Sequence, residues 1–323
     1  MIDRRRPRMG LSVILLFAVA AARADEPASS PTASAGAKAP AVERLGEEAS
    51  RAVAELYEYD ATIPIEARTV EKVEKDGLVR EKIVFRGAQG FLVPGYLQFP
   101  ASGAGPYPCV LLLHGWSGSK ENWWQDGNYI SGGNVRRALL AAGFAVLALD
   151  AQCHGDRIAQ NDFAPVNHYV AENAASMPRK GYFTLADIYI QTTRDYRRAI
   201  DYLETRPEID KARMGLVGYS MGGTQTFLLA GVEPRIKAAV AVAAPAEKSK
   251  WSLVAPQNFV RAIGDRPFLA IMGRNDEMCP VEHARERQSL FDGKANDQVF
   301  FEAGHRLPLD YVGHAVGWIE KHL

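Results

Sequence analysis

A serine set between glycines, Gly218-Tyr219-Ser220-Met221-Gly222, sits where an apolar run from Met214 to Gly218 gives way to a helical pattern from Thr224 to Ala230. A hydroxyl is a poor nucleophile at neutral pH. It needs a base beside it and must stand clear of the backbone, and a sharp strand-to-helix turn presents it that way. Side chains at positions 218 and 222 would collide across such a turn, so glycine is required there. A helix opening at Met221 leaves its first N–H groups unpaired, and these can stabilise an oxyanion.

The rest of that chemistry needs a base, a carboxylate to orient it, and a second oxyanion donor. Each follows an apolar run. His305, in Ala303-Gly304-His305, comes after the last predicted strand and is the candidate general base. Asp276, in Gly273-Arg274-Asn275-Asp276-Glu277, is the candidate carboxylate, with Glu277 as its nearest rival. The loop His114-Gly115-Trp116-Ser117-Gly118 lets backbone approach a substrate carbonyl, and the Trp116 N–H is expected to pair with that of Met221 as an oxyanion donor. His114 is read as structural, holding the loop by hydrogen bonds. Tandem tryptophans Trp123 and Trp124 are placed as substrate contacts able to stack on a sugar ring, which suggests a carbohydrate acetyl ester as substrate.

Glu43 to Tyr57 has helical spacing of apolar residues and is expected to pack on the outside of the core. Ile65 to Val73 and Leu78 to Phe85 alternate and are joined across Lys75-Asp76-Gly77, a hairpin signal; Phe91 to Phe99 follows. From Pro108 onward, apolar strands alternate with helices: strands at Cys109–Leu113, Phe144–Leu149, Ile236–Ala243, Pro267–Met272 and Gln298–Glu302, and helices at Val135–Ala142, Thr184–Leu203, Val281–Leu290 and Leu309–His322. This predicts an α/β fold: a mostly parallel central sheet, antiparallel strands at its N-terminal side, and helices on both faces. Ligand sites in such sheets lie at the carboxyl ends of strands, where Trp116, Ser220, Asp276 and His305 all fall. Residues 151–183 break the rhythm and are read as a long loop or small cap over the site.

The chain has 323 residues, 47% of them hydrophobic, enough for a large core and incompatible with disorder. Arg4, Arg5, Arg6 and Arg8 precede an apolar run from Leu11 to Ala22 and then Ala22-Arg23-Ala24, the layout of a signal peptide over residues 1–24. The apolar run is too short for a permanent membrane anchor. Export to the periplasm or medium, with cleavage near Ala24, is therefore expected. Residues 25–42 read as a flexible lead-in and 43–323 as the folded domain. Formal charge is zero, with 38 basic and 38 acidic residues, and nothing calls for nucleic acid. Cys109, Cys153 and Cys279 form no C-x-x-C pair and are read as free thiols. No cofactor is required. A metal at His154 and Asp156 would have too few ligands. No feature of the sequence dictates an oligomeric state.

Residues from about Phe91 to Leu323 resemble the α/β-hydrolase superfamily, in its dienelactone hydrolase-like and related esterase branches. The motifs that carry the resemblance are Val93-Pro94-Gly95-Tyr96-Leu97 before Pro100, His114-Gly115-Trp116, Gly218-Tyr219-Ser220-Met221-Gly222-Gly223, Asp276 and Gly304-His305. The order Ser220, Asp276, His305 is that superfamily's. The dienelactone hydrolases look to a cysteine nucleophile, whereas this chain has Ser220. Asp150 to Arg157 resembles a loop of several esterase-like members, with Arg157 a substrate contact or a loop brace. The resemblance implies a serine esterase acting on a small-molecule ester. Its rivals are a peptidase of the prolyl oligopeptidase type and a non-catalytic binding protein on the same scaffold.

Overall fold

The computed structural model describes residues 41–103, 105–158 and 183–323. The expected leader, the lead-in up to residue 40 and residues 159–182 of the expected loop or cap lie outside the described residues.

Nine strands make one sheet: β1 (Arg68–Lys75), β2 (Leu78–Arg86), β3 (Leu92–Pro100), β4 (Tyr107–Leu113), β5 (Ala145–Leu149), β6 (Ile209–Tyr219), β7 (Ile236–Val242), β8 (Phe268–Gly273) and β9 (Asn296–Phe301). Their order is β1-β2-β3-β5-β4-β6-β7-β8-β9. The pairs β1·β2, β2·β3 and β3·β5 are antiparallel; every pair from β5 to β9 is parallel. In register, Leu113 sits beside Gly218 and Gly218 beside Ala241, so the strand ends that carry the site lie level with one another.

The strands β4, β5 and β8 are apolar and buried almost throughout, as is β6 from Met214 to Tyr219, because both faces of the sheet are covered there. Alternate residues of β4 and β6 serve different cores. Leu111, Leu113 and Leu216 pack with Tyr196, Ile200 and Leu203 of α3 (Leu185–Glu204) and Phe227 of α4 (Met221–Val232). Val110, Leu112 and Val217 pack with Val135 and Leu139 of α2 (Gly132–Ala141) and with Ala315 and Ile319 of α6 (Tyr311–His322). Each large aliphatic side chain buried this way contributes about 1.5–3 kcal/mol. Helix α4, behind Ser220, is buried from Met221 to Ala230, so the turn before it rests on a rigid element. Helix α5 (Val281–Gln288) flanks β8.

Two expectations shift. The alternation read from Ile65 to Val73 half-buries only Ile65 and Ala67 against the core, and the strand that forms, β1, is exposed at every residue. Its exposed charges blunt an edge strand instead. Helix α1 (Glu47–Glu55) is shorter than the apolar spacing predicts and buries none of its own residues, while Leu45 and Tyr57 on either side anchor it. Cys109, Cys153 and Cys279 are all buried free thiols.

Candidate active site

Ser220 occupies the turn between β6 and α4 with φ 57° and ψ −114°, a backbone conformation that costs an L-residue about 1–3 kcal/mol. The surroundings impose it. The Ser220 N–H donates to Val242 O at 2.8 Å, and its carbonyl accepts from Thr224 N at 3.0 Å. A Cβ at Gly222 would lie 2.0 Å from Leu113 O, and one at Gly218 would lie 2.1 Å from Gly222 O. Both glycines are therefore demanded by backbone packed against backbone.

Across the strand ends, His305 Nε2 lies 2.8 Å from Ser220 Oγ, and its Nδ1 lies 2.9 Å from Asp276 Oδ2. The tautomer that satisfies both contacts has the proton on Nδ1, leaving the Nε2 lone pair for the serine hydroxyl. The Asp276 side chain is fully buried and the imidazole 19% exposed. Asp276 also caps its own turn, Oδ1 accepting from Met278 N at 2.9 Å. The orienting role and the turn role thus coexist in one carboxylate, whereas Glu277 is exposed. An alcohol, an imidazole and a buried carboxylate in series can carry a proton from oxygen to nitrogen while holding the resulting imidazolium.

Sequence reasoning missed Tyr219. Its hydroxyl donates to His305 O at 2.9 Å and accepts from Leu307 N at 3.0 Å, tying the His305 loop to the residue beside Ser220. Its place between glycine and serine was the available signal.

The loop after β4 closes through Gly118 N to Gly115 O at 3.1 Å. His114 is structural, as expected: Nε2 accepts from Ala151 N at 3.0 Å and Nδ1 donates to Gly115 O at 2.8 Å. Burial holds its pKa below that of a free imidazole, so it remains neutral. Lys120, also missed, is buried and donates through Nζ to Asp150 at 2.8 Å and Asp156 at 3.0 Å. Burial alone would lower its pKa, but those two carboxylates raise it. Trp116 packs against the His154 ring at 5.3 Å, and burial pushes that imidazole down to about 3. Trp116, Ser220 and Met221 then share one cleft of about 400 Å³. The first-turn N–H of Met221 has no intrahelical acceptor, as at any helix N-terminus.

Arg157 proves to be a brace. It is 1% exposed, pairs with Asp195 at 2.8 Å, and donates to Asp150 O at 3.3 Å. The two tryptophans also depart from expectation. Trp123 is fully buried in the core beneath α2. Trp124 packs edge-on to Tyr96 at 4.8 Å, beneath the Arg136 guanidinium, and lines a separate depression with Gln98 and Arg80. Neither lines the cleft at Ser220. The one-turn helix Lys120–Trp123 points one indole inward and leaves the next on the flank.

Asp156 is engaged by Lys120 and Lys82, and His154 turns Nδ1 to Gln152 O. Among the described residues, no group of three or more His, Cys, Asp or Glu is placed to hold a metal, and no helix is long and apolar enough to cross a membrane.

The profile of the Alpha/beta hydrolase family matches residues 110–313. A Methylorubrum extorquens protein named "Putative carboxymethylenebutenolidase" is 26% identical over 256 residues, 78% of this chain and 80% of that one. The acetyl xylan esterase of Paenibacillus sp. R4 superposes with a TM-score of 0.64 at 19% identity, covering 85% of this chain and 93% of its own. Acetyl xylan esterase 1 of Thermoanaerobacterium sp. JW/SL YS485 does so with a TM-score of 0.67 at 16% identity, over 87% and 95%. At such identities the structural likeness establishes the fold alone.

Proposed function

The chain belongs to the alpha/beta hydrolase family, and from that premise we propose that it is an exported serine hydrolase that cleaves carboxylic esters through an acyl-enzyme. Ser220 Oγ attacks the ester carbonyl as His305 Nε2 takes its proton. The carbonyl π pair moves to oxygen, and the oxyanion is held by the N–H groups of Met221 and Trp116. The tetrahedral centre collapses, and the departing alkoxide takes the proton back from Nε2. Water, deprotonated by the same nitrogen, then releases the acid and restores Ser220. Asp276 keeps the imidazole in the useful tautomer throughout. Export is supported by the basic, apolar and small-residue order of residues 1–24.

The observation that carries the reading is the Oγ···Nε2 and Nδ1···Oδ2 pair of contacts, at 2.8 and 2.9 Å, made by side chains from three separate strand ends. The kinship with a named carboxymethylenebutenolidase supports hydrolysis of an ester bond. The test is labelling and turnover. A fluorophosphonate probe should modify the parent at Ser220, and a p-nitrophenyl ester should be hydrolysed far faster than a dipeptide anilide. Ser220→Ala should lose both labelling and ester turnover, by about 10⁴-fold or more in kcat, with an unchanged circular dichroism spectrum. A Ser220→Ala protein as active as the parent would refute the assignment. For export, the protein expressed with its leader should be recovered outside the cytoplasm with a new N-terminus at Asp25.

A further inference from the structure

Resting on the esterase reading, we infer that the cleft beside Ser220 is an acyl pocket built for an apolar chain longer than acetyl. Apart from the serine, its walls are Trp116, Leu185, Tyr189, Met221, Pro245 and Met278. The side chains that form it are almost wholly hydrocarbon, thioether and aromatic ring. Among the described residues a sugar bound there would bring several hydroxyls and find little in the side chains of the wall beyond the Tyr189 phenol and Ser220 to receive them, and buried hydroxyls without partners weaken binding. Trp123 and Trp124, the tandem pair expected to stack on a sugar, lie elsewhere. At about 400 Å³ the space exceeds what an acetyl methyl can fill. Apolar surface continues to the rim, where Leu185 is 41% and Met278 47% exposed.

Geometry also says which half of the ester enters. The alkoxide must leave within hydrogen-bond reach of His305 Nε2, which returns its proton. The alcohol therefore departs on the His305 side of Ser220. His305 is not part of the cleft wall, whereas Met221 and Trp116, the proposed oxyanion donors, are. The cleft thus extends from the acyl carbon away from the leaving group. In the transfer, the bond from that carbon to the alcohol oxygen breaks and one to Ser220 Oγ forms. The serine proton passes through His305 to the alcohol, and the apolar chain stays seated in the cleft until water cleaves it.

Two ester series test the assignment on the full-length mature protein. In p-nitrophenyl esters from acetate to hexanoate, complete burial of each methylene would raise kcat/KM about fourfold. The expected rise across the series is at least about tenfold. In alkyl acetates from methyl to hexyl, the profile should stay within about threefold. A smaller rise in the first series, a preference for acetate, or faster turnover of an acetylated xylo-oligosaccharide than of the hexanoate would overturn the inference, as would a rise confined to the alkyl series. Leu185→Asp places a charge in the wall at the first turn of α3, where an acidic residue suits the helix dipole and folding should be retained. It should cut the hexanoate-to-acetate ratio of kcat/KM by about tenfold; an unchanged ratio counts against the pocket. If turnover in both series persists in Ser220→Ala, the esterase reading itself has failed. If turnover needs Ser220 but favours acetate, only the acyl assignment has.

Discussion

Asp150 receives Lys120 twice, the backbone N–H on Oδ1 and the ammonium on Oδ2, each at 2.8 Å. The carboxylate closes the end of β5 and the lysine follows the loop after β4, so this pair of hydrogen bonds fastens the proposed oxyanion loop to the neighbouring strand. His114 adds a second fastening through Ala151 N. Both partners are essentially solvent-free. Neutralising Asp150 leaves the buried Lys120 ammonium with the half-exposed Asp156 as its nearest carboxylate. Asp150→Asn is expected to lose about 3–5 kcal/mol of stability by urea unfolding. Its kcat/KM on an aryl ester should fall at least about tenfold. Lys82→Ala removes only the outer, half-exposed partner of Asp156 and should cost less than about 1 kcal/mol. Equal losses in the two variants would show that the clasp has no special role.

Asp276→Asn retains the size of the side chain but presents an amide where Nδ1–H needs an acceptor. Rotation of the amide favours the wrong imidazole tautomer. The expected result is a drop in kcat of about 10⁴-fold with little change in KM. Glu277→Gln, at an exposed position, should change neither by more than about twofold. If the two effects are reversed, the orienting carboxylate has been misassigned.

Two glycines on helices make opposite predictions. At Gly222 an added methyl meets Leu113 O at 2.0 Å, backbone that cannot move without displacing β4. Gly222→Ala should cost at least about 3 kcal/mol and abolish turnover. Gly313, on α6, has nothing within 4 Å of its added Cβ. Gly313→Ala should stabilise the protein by about 0.5–1 kcal/mol, since alanine is the better helix former. Thermal unfolding of the pair reads both signs at once.

The site was legible wherever the signal was local. Ser220, Asp276 and His305 each follow an apolar run and a turn, and the period of two or the unbroken apolar stretch marks a strand in one dimension. What escaped were polar partners brought together from afar. Lys120 stands in the polar stretch Ser119-Lys120-Glu121-Asn122, and only the parallel pairing of β4 with β5 seats it on Asp150. Arg157 and Asp195 lie 38 positions apart, with no periodicity linking them. Trp123 and Trp124 show the converse: a conspicuous local pair whose orientation depends on one helical turn that composition does not encode.

Acid should weaken the fold through the imidazole packed on Trp116. His154 is buried against His114, whose ring lies 5.4 Å away. Burial first, then the neighbouring His114 and Arg157, depress its pKa to about 3, against the hydrogen bond to Gln152 O, which raises it. An unfolded chain protonates the same ring near about 6.5. Between those values the unfolded state binds more protons than the folded one, so stability increases with pH there. It is fully present above about pH 6.5 and is lost as pH falls towards 3, at about 1.4 kcal/mol per pH unit for one such group. His114, lowered in the same direction by its burial, adds to the slope. His154→Phe preserves an aromatic ring beside Trp116 and removes one titration. In urea unfolding between pH 6 and 4, its stability should depend less steeply on pH than the parent's by about that amount. Parallel pH profiles for the two proteins would mean that the His154 ring is already open to protons in the native state.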